Sequence, residues 1–273
     1  MVRRGTFLAA LVSVCLLVAA SGCLRRESPE LENRLNEILM SGNEALAAGR
    51  YDEAIRQFDA GLALGPGNPA LLTNKSHALR SRGVVRFNAS LQLGDEAEKA
   101  AVREAARRDW REAADLGIQS VRQMKSADLS EMWFDKSAYE MNRRAACSAR
   151  AEALRLLASK FDKTLADEAL AAIHEYAEVE RDAETRAKAR LAAGQMLLDT
   201  ARGEQAAAEY RKVLADDPDN LDAVLGVGLA LFQSGDKARY REAASHLRRF
   251  VEAAPENHPL RKSAKDTLDF MNQ

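Results

Sequence analysis

From Leu31 onward, apolar residues return every three or four positions, the spacing of amphipathic helices. The clearest long run covers residues 95–124. There Ala97, Ala101, Ala105, Trp110, Ala113, Gly117, Val121 and Met124 fall along one face and predict a single helix. Asp128 is placed to cap a following helix over residues 129–159. Further helical patterns cover residues 165–180 and 183–201, and residues 259–271 form a last amphipathic stretch. Breaks in the pattern are short and carry Gly or Pro, as at Gly49 and at Gly65-Pro66-Gly67.

One phrase of this pattern is written twice. Gly42, Ala54, Phe58, Leu62, Pro66 and Asn68 recur as Gly194, Ala206, Tyr210, Leu214, Pro218 and Asn220, at a fixed offset of 152 residues. A third copy runs through Gly228, Leu231, Ala243, Leu247, Phe250 and Pro255. Its Pro lies 37 residues after Pro218, which puts three extra residues in the turn around 235–240. Gly42 and Ala54 are small enough to let two helices approach, Phe58 fills the space beside them, and Pro66 cannot continue a helical ladder.

Small and large apolar residues in this order, closed by Pro, over about 34 residues resemble the tetratricopeptide repeat, TPR. The resemblance implies an all-α, TPR-like αα-hairpin solenoid with a C-terminal capping helix. Hairpin repeats are expected over 31–68, 183–220 and 221–256, with a cap over 257–273. The middle departs from the consensus, because the offset of 152 is not four periods. Residues 69–126 read as an elongated hairpin and 128–181 as a divergent one. Stacking of this irregular middle in the same array is favoured over a projecting coiled-coil arm, because Ala is poor seam material.

Composition agrees with an all-α chain. Hydrophobic residues are 47% but aromatics only 5%, so much of the apolar content is Ala, the best helix former. The charges nearly cancel, 40 Lys+Arg against 41 Asp+Glu, and nothing in them suggests nucleic acid.

Residues 1–22 differ from the rest. Arg3 and Arg4 precede an apolar stretch over 7–20, the form of a secretory signal. Ala20-Ser21-Gly22-Cys23 then resembles the lipobox of bacterial lipoproteins, with Ala20 in place of the commoner Leu. That resemblance implies lipidation at Cys23, a short tether over 23–30, and a membrane anchor of palmitate-like acyl chains. Leu24, rather than Asp, implies the outer membrane, with the chain facing the periplasm. The alternative is an ordinary signal cleaved near Ala20. Of the other cysteines, Cys15 lies in the removable segment, and Cys147 sits among Ala residues as a small core filler.

No catalytic, cofactor or metal constellation emerges. The four His, at 77, 174, 246 and 258, are dispersed. His174-Glu175 lacks the second His of a zinc-protease motif, since Glu178 stands in its place. His174 reads as a helix-surface residue.

In the TPR family, the first helix of each hairpin lines a concave groove. Carried over position by position, this points to Asn43, Thr73, Asn74, His77 and Arg80, and toward the C-terminus to Leu191, Gln195, Leu225, Leu229 and Phe232. Asn43 and Asn74 match positions where some family members hold a peptide carboxylate, but the basic residue of that clamp is Leu39 here. The apolar residues are equally readable as core beneath neighbouring helices. Together these features point to a lipid-anchored adaptor of the bacterial envelope that binds proteins or peptides. Related lipoproteins serve pilus, secretion or outer-membrane assembly. The alternative is a subunit, or an enzyme with an unrecognised site, in an envelope complex.

Overall fold

The computed structural model describes residues 29–126 and 136–271. The expected leader, Cys23 and the expected cap Asp128 lie outside them. The described residues are helical, with no strand among them. No helix among them is long and apolar enough to cross a membrane. The chain divides into two compact units, the first ending at Ala146 and the second beginning at Cys147.

The first unit holds α1 (Pro29–Ala47), α2 (Tyr51–Leu64), α3 (Pro69–Ser90), α4 (Glu96–Lys125) and the start of α5 (Lys136–Lys160). Helices α1 to α4 pack in sequence order, and α1 also touches α3, so first helices of successive hairpins lie side by side. Gly49 turns the chain between α1 and α2 with a φ of +73°. Without a Cβ, that conformation carries no steric penalty. Phe58 is completely buried against the Gly42 backbone, where any Cβ would overlap its ring. Asn68 starts α3 by accepting hydrogen bonds at Oδ1 from the amides of Ala70 (3.0 Å) and Leu71 (3.2 Å), with Pro69 in the first turn. Asp95 starts α4 in the same way, accepting from the Glu98 amide at 2.7 Å.

α3 and α4 run 22 and 30 residues. The long helix expected over 95–124 is therefore present, but its buried face differs from expectation at the N-terminal end. Ala97 and Ala101 are exposed, whereas Lys99, Val102 and Arg103 are half-buried. Steps of four residues drift around a helix of 3.6 residues per turn. The face that stays on α3 instead runs from Arg103 through Ala106, Trp110, Ala113 and Gly117. Trp110, at 1% exposure, anchors it. Its indole N–H donates to the Arg80 carbonyl at 3.1 Å, and its ring fills the space left by Gly83.

The second unit holds the rest of α5, then α6 (Ala166–Val179), α7 (Ala183–Asp199), α8 (Gly203–Asp216), α9 (Leu221–Gln233), α10 (Tyr240–Ala253) and α11 (Arg261–Met271). Helices α6 to α11 pack in sequence order, and α7 also touches α9. The α7–α8 turn repeats the α1–α2 turn bond for bond. Gly49 N–H donates to Leu46 O and Arg50 N–H to Ala45 O at 3.0 and 2.9 Å; Ala201 N–H donates to Leu198 O and Arg202 N–H to Leu197 O at 3.0 and 2.8 Å. Tyr210 takes the place of Phe58, wedged against both Gly194 and Gly226. In the third hairpin Leu247 fills this place against Gly228. Cys147 is buried, as expected of a small core filler. α11 closes the end of the unit: Ala264 and Leu268 join Val224, Leu225, Leu247 and Phe250 in one apolar cluster. The fold is all-α and TPR-like, and its hairpins are set by small residues opposite one large one.

Candidate interaction surface

The structure brings some of the sequence-chosen residues together and removes others from reach. Asn43 on α1 and Asn74 on α3 meet directly, Asn74 Nδ2 donating to Asn43 Oδ1 at 2.8 Å. Asn74 is buried and Asn43 half-buried. The bond engages one N–H of Asn74 and the carbonyl of Asn43, so the Asn43 NH2 group is not used by it.

Thr73 does not face the groove. It is buried against α4, where its hydroxyl lies 2.8 Å from that of Ser120. Ser120 donates onward to the Pro69 carbonyl at 3.0 Å, which leaves Thr73 as donor to Ser120. Ser76, one turn on, donates to the Ala113 carbonyl at 2.7 Å. This hydroxyl ladder binds α4 to α3 through the face that would otherwise have lined a groove. His77 and Arg80 remain half-buried on the accessible side.

The second unit shows a similar division. Leu191 is half-buried and Gln195 exposed, one turn apart on α7, with Gln195 Nε2 donating to Asp199 Oδ1 at 2.9 Å. Leu225, at 5% exposure, belongs to the apolar cluster. Leu229 packs on that cluster. The Phe232 ring sits between Tyr240 and Phe270, at centroid distances of 5.7 and 5.8 Å. Of the apolar groove expected here, Leu225 and Leu229 serve the core, and Phe232 is partly covered by α11 of the chain itself. Leu191 and Gln195 form the part open to a partner.

Two polar centres were not foreseen. Asp109 is buried between α3 and α4 and accepts from Arg82 at 2.6 and 3.1 Å and from Arg86 at 2.8 Å. Arg82 reaches on to Asp52 of α2 at 2.6 Å. These bonds, that to Asp109 foremost, hold the guanidinium pKa above its ordinary value against the effect of burial. The signal in the sequence was Arg82 and Arg86, one turn apart, but nothing there marks Asp109 out from the other acids of α4. The other centre is Glu209, buried on α8. Its Oε1 takes hydrogen bonds from Lys212 at 2.6 Å and meets His174 Nε2 at 3.0 Å. His174 is thus an interhelical tie between α6 and α8 as well as a partly exposed residue. Among the described residues no group of three or more His, Cys, Asp or Glu is placed to hold a metal ion.

No protein-family model matches the chain, and no curated protein matches it. Solved structures do. The chain is similar to the TPR2AB domain–pHSP90 complex of yeast Sti1, at 18% identity over 89% of this chain and 100% of that one, with a TM-score of 0.35. It is similar also to yeast Tom70, at 15% identity over 93% of this chain and 67% of that one, with a TM-score of 0.27.

Proposed function

We propose that this protein is a lipid-anchored adaptor of the bacterial cell envelope that holds another protein or peptide on the first-helix face of its hairpins. The observation that carries the reading is the side-by-side packing of first helices, α1 with α3 and α7 with α9, next to which Leu191 and Gln195 stay accessible. Hairpin stacks of this kind build extended binding surfaces from residues on successive helices. An apolar residue one turn from an amide suits a helical or extended segment laid across them.

The anchor rests on Ala20-Ser21-Gly22-Cys23. The first described helix starts at Pro29, so the intervening chain spans about 20 Å at most. Diacylglyceryl attached to Cys23 would therefore keep the hairpins close to the bilayer, and Leu24 directs the reading toward the periplasmic face of the outer membrane. More than one acyl chain makes such anchoring stable, at about 0.8 kcal/mol per buried CH₂.

Two measurements test the reading. Radiolabelled palmitate should enter the wild-type chain and not Cys23→Ser; equal labelling of both removes the anchor. A photo-crosslinker placed at Gln195 should trap one discrete protein in envelope preparations, and Leu191→Asp should abolish the adduct while the chain stays folded by circular dichroism. An adduct that survives Leu191→Asp removes the proposed surface.

A further inference from the structure

A cleft with a basic rim lies between α10 and α11. Arg248 of α10 and Arg261, Lys262 and Lys265 of α11 line it around an apolar floor of Val251 and Leu268. It encloses about 530 Å³. Glu256 and Asp269 also line it, so four cations face two carboxylates in a chain whose formal net charge is −1.

Three features distinguish this cleft. First, none of its four cations is held in an ion pair among the described residues. A comparable cleft between α2 and α3 is lined by Arg50, Arg56, Arg82 and Arg86, but Arg50 is held by Glu53, Arg82 by Asp52 and Asp109, and Arg86 by Asp109. Three of those four charges already have partners, and among the described residues only Arg56 is left over. Secondly, Arg261 and Lys262 open α11, and its first turn carries no acid. Cations there oppose the helix dipole, at a cost of about 0.3–1 kcal/mol each, so the local fold gains nothing from them. The helix terminus and the side chains instead add up to one positive field. Thirdly, Val251 is half-buried and Leu268 nearly buried, which gives the field an apolar floor.

We infer that this cleft takes an acidic amphipathic peptide segment of a partner protein, its carboxylates meeting Arg248, Arg261, Lys262 and Lys265 while an apolar side chain rests on Val251 and Leu268. Charge complementarity supplies encounter and register, and the apolar side chain supplies the sequestered contact. The site lies apart from Leu191 and Gln195, and it shares with the adaptor reading only that the ligand is a protein.

The test uses the full chain and a fluorescein-labelled dodecapeptide, two copies of Glu-Glu-Leu-Asp-Glu-Leu, followed by fluorescence anisotropy at low salt. The wild type should bind. The double reversal Lys262→Glu/Lys265→Glu, at two exposed positions, should weaken binding at least about tenfold. The same charge change in the first unit, Arg108→Glu/Arg111→Glu, should leave binding within about twofold. Replacing all four peptide Leu residues by Ser should also cost at least about tenfold, as expected for losing one buried Leu. Equal weakening by the two double reversals would reduce the effect to overall charge and overturn the proposal. So would indifference to the Leu replacement, or wild-type binding to phosphatidylglycerol vesicles but not to the peptide. Gln195→Arg should not change peptide affinity, so this outcome stays separate from the fate of the groove.

Discussion

Ala201 stands where Gly49 stands in the first hairpin, and it takes the same left-handed backbone, φ +63° against +73°. The hydrogen bonds of the two turns match, so the turn geometry is set by the hairpin and not by the residue. A Cβ in this region costs about 1–2 kcal/mol relative to the right-handed helix. Ala201→Gly should therefore raise the unfolding free energy by about 1 kcal/mol, after the greater chain entropy of Gly is subtracted. Gly49→Ala should lower it by a similar amount. Urea unfolding followed by circular dichroism reads both, and a destabilised Ala201→Gly variant would contradict the assignment.

Leu229 and Phe232 were candidates for partner contact, and the structure gives them internal work. Leu229→Ser/Phe232→Ser should lower stability by about 2–4 kcal/mol, from lost burial on the apolar cluster and against Phe270. The thermal midpoint should fall before any binding defect can be read. A double variant that melts like the wild type would return these residues to the surface. Leu191→Asp, on a half-buried and open position, should cost less.

How much of this was legible in sequence follows from what each residue answers to. The hairpins at both ends were readable because Gly42, Ala54 and Phe58 record a local geometric need: two helices approach only if one side is small. The same logic located Gly194, Ala206 and Tyr210. Tyr210 also presses on Gly226 of the next hairpin, which the pattern within one repeat cannot express. The groove was less readable. A family position says where a residue sits on its helix, but not which helix comes next. In the first unit α4 is long enough to seal Thr73 through Ser120, and in the second α11 covers part of Phe232. Asp109 was unreadable for the same reason, since its role depends on two arginines of another helix.

Asp109 is therefore a sharp test of the middle region. One buried carboxylate there holds Arg82 and Arg86, and Arg82 extends the tie to α2. Asp109→Ala removes the shared acceptor and leaves two guanidiniums beside an apolar wall. Because Arg82 and Arg86 retain some access to water, the cost should be at the lower end for a broken buried pair, about 2–3 kcal/mol. Asp109→Asn keeps the shape and one acceptor and should cost less. Hydrogen exchange should speed up in α3 and α4 and stay unchanged in α9 to α11. Uniform acceleration through the chain would mean that Asp109 is not a local tie.

His246 gives the fold a pH dependence with a definite sign. It is half-buried on α10, and its Nδ1 is enclosed without a hydrogen-bond partner. Burial pushes its pKa below the ordinary 6.5; Glu242 pulls the other way, and Arg211 and Arg249 add to the lowering. The folded state therefore releases the proton at a pH where the unfolded chain still holds it. In the window just below 6.5 the unfolded state binds more protons, so stability rises with pH there and is lost as pH falls. The neutral ring's contribution is complete above 6.5 and declines on acidification. Melting temperature should thus drop between about pH 7 and pH 5.5, and His246→Gln, which cannot titrate, should flatten that slope. The substitution itself can shift the absolute midpoint, so the slope against pH is the quantity to compare. An unchanged slope in His246→Gln would assign the acid sensitivity to other groups.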